Sequence, residues 1–584
     1  MEKIIRYSLY GVITLLLFVV FQQQCAYDFF YAEQLRTFLF SEAYAKEVLA
    51  QPGGVLEYVA SFLVQFYVYD YVGPLMTSIM FFLIVWFCDK WLSKFNLASL
   101  APVGSVLLAG LFVILELDMD FKTEGTLAAV LCLAVLNLYA QIPSSKLRMG
   151  GFAIVVPFLY WIMGPAVLAL SACVCLFETS KRNYVAWALL LWSVCPLALW
   201  WYMGDCGEAR IVFMPDAYYN PHMVPKMKLY YPWELLLIMG SIGCIWRLLD
   251  IPFSFKKWTP VMDVLLVGVA IACCVHLFNL AHGAYSYQLK RLECYRIRSE
   301  WDKILSEPLV SSKNELHACY QNLALAKKGV LADSLFHYHQ CPPNGLVINW
   351  KGSRQQSDLL SDVFWLQGNV ALSQKMAFDA MYFDKHFMHP RVALRLIETN
   401  LVYGEYGVAE KYIRLCEQSH YYADKAREYR KYLPEDGQDR LDGELLEIRK
   451  CLPETEDAIL SNFYKDTQHV LEAHSSYLPA IHYLGCKLLL DNNLEVFKYF
   501  VENMCDMEKL QPLPMHFQEA LLLIYDEDKC KEYGVTDQVI AKYKDFKKRV
   551  EGGKTRENAA SIIRAGFGKT FWLHSFIYEK STRQ

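Results

Sequence analysis

Apolar stretches crowd the first 281 residues of the 584-residue chain, and nothing comparable follows. A helix needs roughly 20 apolar residues to cross a hydrocarbon core, somewhat fewer where the bilayer thins. The stretches at 7–23, 73–92, 98–117, 125–142, 150–163, 165–177, 184–202, 233–249 and 260–281 meet or approach that length. Past residue 284, Lys, Arg, Asp and Glu are interspersed as on a water-facing surface. The predicted fold is therefore all-α. A polytopic membrane domain of about nine spans over 1–283 precedes a soluble helical-hairpin domain over 284–584.

Residues 150–177 hold Gly164-Pro165 at their centre. Proline breaks a helix ahead of it, so two short helices joined by a turn are expected; one kinked, tilted helix is the alternative. Basic pairs arbitrate, because cytoplasmic loops collect Lys and Arg. With two helices there, Lys3 and Arg6, Lys90 and Lys94, Lys146 and Arg148, Lys181 and Arg182, and Lys256 and Lys257 all fall on one side. The expected topology has a cytoplasmic N-terminus and an extracytoplasmic C-terminal domain, in the periplasm of a bacterial inner membrane. The first stretch, Tyr7–Phe21, runs into Gln22-Gln23-Gln24-Cys25 without a small-x-small cleavage pattern, so it reads as a retained span.

Lys and Arg together number 57 against 61 Asp and Glu, a formal net charge of -4. That balance does not favour a nucleic-acid partner. Many of the 18 cysteines lie in apolar runs as small hydrophobes. Cys294, Cys319, Cys341, Cys416, Cys451, Cys486, Cys505 and Cys530 lie in the tail, where an oxidising compartment would allow disulfides that sequence cannot pair. No zinc-type cysteine pairing is visible.

The tail shows helical periodicity with glycine breaks. Pro390–Leu401 is followed by Gly404 and Gly407, then a second helix from Val408. Similar hairpins are predicted at Glu315–His337, at 359–382 and at 478–503. They resemble tetratricopeptide repeats without a strict 34-residue period. Such hairpins serve either as a binding face for peptides or proteins, or as a cap that only packs. Gly566-Phe567-Gly568-Lys569-Thr570-Phe571-Trp572 lacks phosphate-loop spacing and reads as a docking tail returning to the membrane surface.

The first long loop begins Gln22-Gln23-Gln24-Cys25-Ala26-Tyr27-Asp28 and turns at Pro52-Gly53-Gly54. It continues through Tyr58–Phe66, whose apolar and aromatic spacing suits an interfacial helix. A first span, an early acid and an interfacial helix together resemble the GT-C superfamily of glycosyltransferases. The resemblance implies an extracytoplasmic enzyme using a polyprenyl-phosphate-linked sugar and a protein or glycan acceptor. It assigns the essential acid to Asp28, with Glu33 a second candidate and Asp118 and Asp120 as the other acidic pair. A divalent cation, Mg or Mn, would sit at Asp118 and Asp120. Arg210, His222, Lys226 and Lys228 would bind the lipid phosphate. Capping or simple hydration is the plainer reading for each of these residues.

As a whole the chain resembles a family of Bacteroidota inner-membrane proteins of unknown activity. The similarity is carried by Pro52-Gly53-Gly54-Val55-Leu56-Glu57-Tyr58, Asn322-Leu323-Ala324-Leu325-Ala326-Lys327-Lys328-Gly329, Glu398-Thr399-Asn400-Leu401-Val402-Tyr403-Gly404 and Gly568-Lys569-Thr570-Phe571-Trp572. That likeness supports the two-part architecture and is equally compatible with a membrane-anchored scaffold for envelope proteins. Among the ionisable residues inside the spans, Glu234, Arg247, Asp263 and His276 lie near span ends and suggest no proton relay.

Overall fold

The computed structural model describes residues 2–95, 97–204, 208–249, 260–311, 313–383, 389–434, 440–454, 462–506, 509–552 and 556–581. Among them no strand forms; there is one isolated bridge, between Phe121 and Tyr219. The chain divides into two units. The first holds Met1–Tyr287 with Gln418–Tyr421, and the second holds the remainder.

The first unit contains α1 (Glu2–Gln24), α2 (Ala26–Gln34), α3 (Glu42–Leu49), α4 (Gly54–Val64), α5 (Val72–Leu92), α6 (Ala101–Glu116) and α7 (Glu124–Tyr139). It continues with α8 (Ser145–Met163), α9 (Ala166–Thr179), α10 (Trp187–Met203), α11 (Ala209–Phe213), α12 (Tyr231–Leu248) and α13 (Pro260–Ala281). Each apolar stretch in the sequence is thus a helix. Among the described residues, five segments are long and apolar enough to cross a bilayer: Ile4–Gln24, Val72–Phe95, Ser145–Met163, Tyr184–Met203 and Val261–Leu280. α6, α7 and α9 are shorter, at 16, 16 and 14 residues. The two-helix reading of 150–177 holds. Gly164 ends α8 at φ 61° and ψ −141°, a conformation that glycine reaches without steric cost.

Side-chain bonds fix the helix directions. Arg6, near the start of α1, bonds Asp263 at the start of α13 at 3.1 Å and Asp89 near the end of α5 at 3.3 Å. Tyr10 also donates to Asp89, at 3.2 Å. Asn137, late in α7, donates to the Phe87 carbonyl, late in α5, at 2.8 Å. Arg148, opening α8, donates to Glu178, closing α9, at 2.9 Å. Trp187, opening α10, donates to Thr179 at 3.0 Å, and Arg247, closing α12, donates to the Lys94 carbonyl at 2.9 Å. Neighbours in the chain therefore alternate in direction, while α1 and α13 run the same way. Arg6 and Arg148 stood in the sequence as anchors at the membrane face. In the structure they are partners of internal acids, and Arg148 is buried. Lys256 and Lys257 lie outside the described residues.

At the other end of these helices, the turn before α4 meets the α8–α9 turn. The Gly53 N–H donates to the Trp161 carbonyl at 2.8 Å, and the Trp161 indole returns a bond to the Leu49 carbonyl at 2.8 Å. A Cβ on Gly53, at φ 80°, would sit 3.5 Å from the Gly164 backbone.

In the second unit, α14 (Ala284–Ile297, joining it from Gln288), α15 (Trp301–Ser306), α16 (Glu315–Lys327) and α17 (Leu331–Ser334) precede two hairpins. These are α18 (Arg354–Leu366) with α19 (Val370–Tyr382), and α20 (Pro390–Tyr403) with α21 (Tyr406–Cys416). Gly368 and Gly404 make the turns at φ 79° and 80°. A further pair, Leu478–Leu490 and Leu494–Asn503, turns at Asn492. The three breaks expected at Gly329, Gly404 and Asn492 are present, and Gly368 supplies the turn within 359–382.

A charge ladder, buried at Glu293, Arg296 and Asp358 and half-buried at its other members, crosses three of these helices. Glu293 and Arg296 project from α14, Asp358 and Asp362 from α18, and Arg391 and Arg395 from α20. The three- and four-residue spacings place each pair on one helix face. Arg296 bonds Glu293 at 2.7 Å and also pairs with both aspartates; Arg395 bonds Asp362 at 2.8 Å. Burial by itself would raise the Asp358 pKa, but Arg296 and Arg391 hold its carboxyl far below the usual carboxylate range.

The terminal segment departs from expectation. Instead of returning to a membrane surface, it buries in the second unit's own core. The Phe571 N–H donates to the Glu519 carboxylate and the Trp572 indole to the Glu519 carbonyl, each at 2.7 Å. The tail thiols Cys319, Cys451, Cys486 and Cys530 are buried. Burial pushes Cys319 and Cys451 up to about 12, which suppresses the thiolate needed for disulfide exchange.

Two outcomes are expected. Arg296→Met leaves buried carboxylates uncompensated and costs about 3–5 kcal/mol, read as a lowered melting temperature of the full-length protein in detergent. Gly164→Ala forces a left-handed backbone on a residue with a Cβ and costs about 1–3 kcal/mol, whereas Gly150→Ala, inside α8 and meeting open space, does not lower melting and raises it by up to about 1 kcal/mol of stability.

Candidate functional site

Two polar clusters form at the end of the first unit where α1, α6, α8 and α13 finish. The first is built on α2. Cys25 is the residue before α2 and Asp28 lies in its first turn. A three-residue separation on a helix puts both side chains on one face. Asp28 is buried, and its carboxylate bonds His282 Nε2 at 3.0 Å. His282 follows directly on α13, and its N–H donates to the Phe278 carbonyl at 2.7 Å. The His282 ring stacks on Phe278 at 4.8 Å and leans on Tyr287 at 4.9 Å. Side-chain exposure is 17% for His282 and 1% for Asp28. The Cys25 sulfur joins this pair, and the three donor atoms lie within 4.8 Å of one another. Phe21 and Phe29, both buried and in edge contact at 5.6 Å, add apolar surface around α2.

The second cluster comes from two loops bridged at Phe121 and Tyr219. The Asp118 carboxylate accepts from Lys226 at 3.2 Å and pairs with Lys228 as well. The Asp120 N–H donates to it at 3.0 Å, and the Tyr219 hydroxyl lies at 3.5 Å. Asn220 reaches Asp120 at 3.4 Å. Burial works to raise the Asp118 pKa; Lys228 and Lys226 outweigh it, leaving the carboxyl below its usual range. Two ammonium groups stand against the Asp118 carboxylate, with the Asp120 carboxylate in the same cluster. A divalent cation at Asp118 would have to displace both ammonium groups.

Of the remaining sequence candidates, His222 borders the second cluster, its N–H donating to Asn220 at 3.1 Å. Glu33 is buried on α2 and accepts from the Gln34 side chain. Arg210 and His222 are exposed. His282 and Cys25 were not singled out in the sequence. Alternating helix direction offered a signal for His282, since it places the residues following the first and last apolar helices on one side.

Replacing Asp118 with Asn removes the charge shared by Lys226 and Lys228 and costs about 1–3 kcal/mol. Because the folded pKa lies below the ordinary 3.8, this contribution is complete above the unfolded value and is lost as pH falls through the folded one. The melting difference between wild type and Asp118→Asn is therefore constant from neutral pH to about 4.5 and shrinks below about 4.

No curated protein and no solved structure matches the chain. One family model covers residues 3–577, nearly the whole length, and the chain belongs to that family, described as Family of unknown function (DUF6057).

Proposed function

We propose that the first unit crosses a bacterial inner membrane nine times, with its N-terminus cytoplasmic and the second unit periplasmic. In this reading it is a GT-C-type glycosyltransferase acting on a polyprenyl-phosphate-linked sugar, and the TPR-like hairpins recruit a protein or glycan acceptor. Support comes from the layout of α1 to α5 and from one observation above the rest, the Asp28–His282 pair. A buried carboxylate against a more accessible imidazole is the arrangement of a positioned proton acceptor.

In the proposed reaction the acceptor oxygen bonds the anomeric carbon while the bond from that carbon to the donor phosphate oxygen breaks. The lipid phosphate leaves with the electron pair, and the acceptor proton passes to the Asp28–His282 pair. The ammonium groups of Lys226 and Lys228 meet the donor phosphate. The second reading is a membrane-anchored scaffold for envelope proteins. It is favoured by the charge ladder of α14, α18 and α20, which stiffens the hairpins without requiring any chemistry.

Asp28→Asn and His282→Gln, at expression matched to wild type, each lower glycan staining of periplasmic proteins by about 100-fold or more. An unchanged glycan pattern in both variants defeats the transferase and leaves the scaffold.

A further inference from the structure

The donors at the end of α13 and the start of α2 are a sulfur, a carboxylate oxygen and an imidazole nitrogen, brought together from positions 25, 28 and 282. We propose that Cys25, Asp28 and His282 bind one divalent ion of the zinc class. The donor set decides the ion. Thiolate and imidazole suit zinc or cobalt, whereas magnesium and calcium take oxygen ligands. Zinc bonds of about 2.3 Å to sulfur and about 2.0–2.2 Å to nitrogen and oxygen place neighbouring ligand atoms about 3.5 Å apart. The three donors already lie within 4.8 Å of one another, and the Asp28–His282 separation is 3.0 Å. Side-chain adjustments of about an ångström close the site at those bond lengths.

Its surroundings fit an ion better than a solvated acid. Cys25 and Asp28 are buried. Phe278 and Tyr287 flank the histidine ring and fix its plane. Burial strengthens the attraction between a carboxylate and a cation held against it. Three protein ligands leave a fourth position open, the pattern of reactive rather than purely structural zinc sites. An anionic oxygen, from water or from the donor phosphate, completes the coordination.

The role of the ion rests on the transferase reading, whereas its binding rests on the geometry alone. With the ion in place, His282 and one Asp28 oxygen are ligands, and proton acceptance falls to the second oxygen of the Asp28 carboxylate. This also moves the cation away from Asp118, whose two lysines already neutralise it.

The test uses full-length protein purified in detergent, equilibrated with zinc and then washed free of loose metal. Elemental analysis gives about one zinc per chain for wild type. Cys25→Ser, Asp28→Asn and His282→Gln each bring it to background while eluting as monodisperse protein. Cobalt on the wild-type protein gives a thiolate-to-metal charge-transfer band, a reading that depends on no variant. Background zinc and no cobalt band in wild type overturn the proposal. Zinc fully retained in Cys25→Ser or His282→Gln shows an adventitious ion only and also overturns it. If zinc binds and is lost in the variants while periplasmic glycans are unchanged, the ion stands and the transferase falls. If wild type is metal-free while Asp28→Asn loses glycan, the reverse holds.

Discussion

The first unit depends on two polar side-chain contacts that tie its first apolar helix to its last. Arg6 with Asp263 joins the starts of α1 and α13, and Asp28 with His282 joins the residues beyond their ends. Charged and polar groups among apolar helices are costly unless paired. Each pair therefore selects one arrangement of helices more than 230 residues apart. With α1 and α13 parallel, an odd number of alternating helices closes between them, and Asp28 and His282 come to one side. The rest follows from this registration: Asp89 answers Arg6 from the antiparallel α5, and Cys25 is carried to His282 by its place three residues before Asp28.

The elements were legible because they rest on local physics. Apolar runs and the break at Gly164-Pro165 predicted the helices of the first unit. Breaks at Gly329, Gly404 and Asn492 marked three hairpins of the second, since each adopts a positive φ at a helix end; the turn at Gly368 was not singled out. Pairings between distant positions were not legible. Arg6 and Arg148 read as basic anchors, yet both answer internal acids. Asp89 sits inside an apolar run where its partner is invisible from the sequence. The loop residues Arg210, His222, Lys226 and Lys228 read alike, and only the bridge at Tyr219 brings Lys226 and Lys228 to Asp118. Asp28 was visible from the layout of the first loop; His282 stood beside Gly283 at the close of an apolar run, with no local mark of its use.

The second unit obeys a different economy. Its hairpins could have packed on apolar contacts alone, yet α14, α18 and α20 share a partly buried ladder of alternating charges. Buried ion pairs add little net stability over apolar replacements of the same shape, but losing one partner is severe. Such a ladder fixes the mutual register of its helices. The terminal aromatics serve a related end, since Phe571 and Trp572 both bond Glu519 and lock the last helix onto the helix Met515–Ile524.

The registration of α1 against α13 is open to direct measurement by a double-mutant cycle on Asp28 and His282, using Asp28→Asn, His282→Gln and the double variant. Melting free energies of the full-length protein, in detergent and with chelator present, should show a coupling of about 1–3 kcal/mol, since residues in direct contact are non-additive. Strictly additive losses, within about 0.3–0.5 kcal/mol, would mean that the two side chains do not meet and that the first and last apolar helices are not held as described.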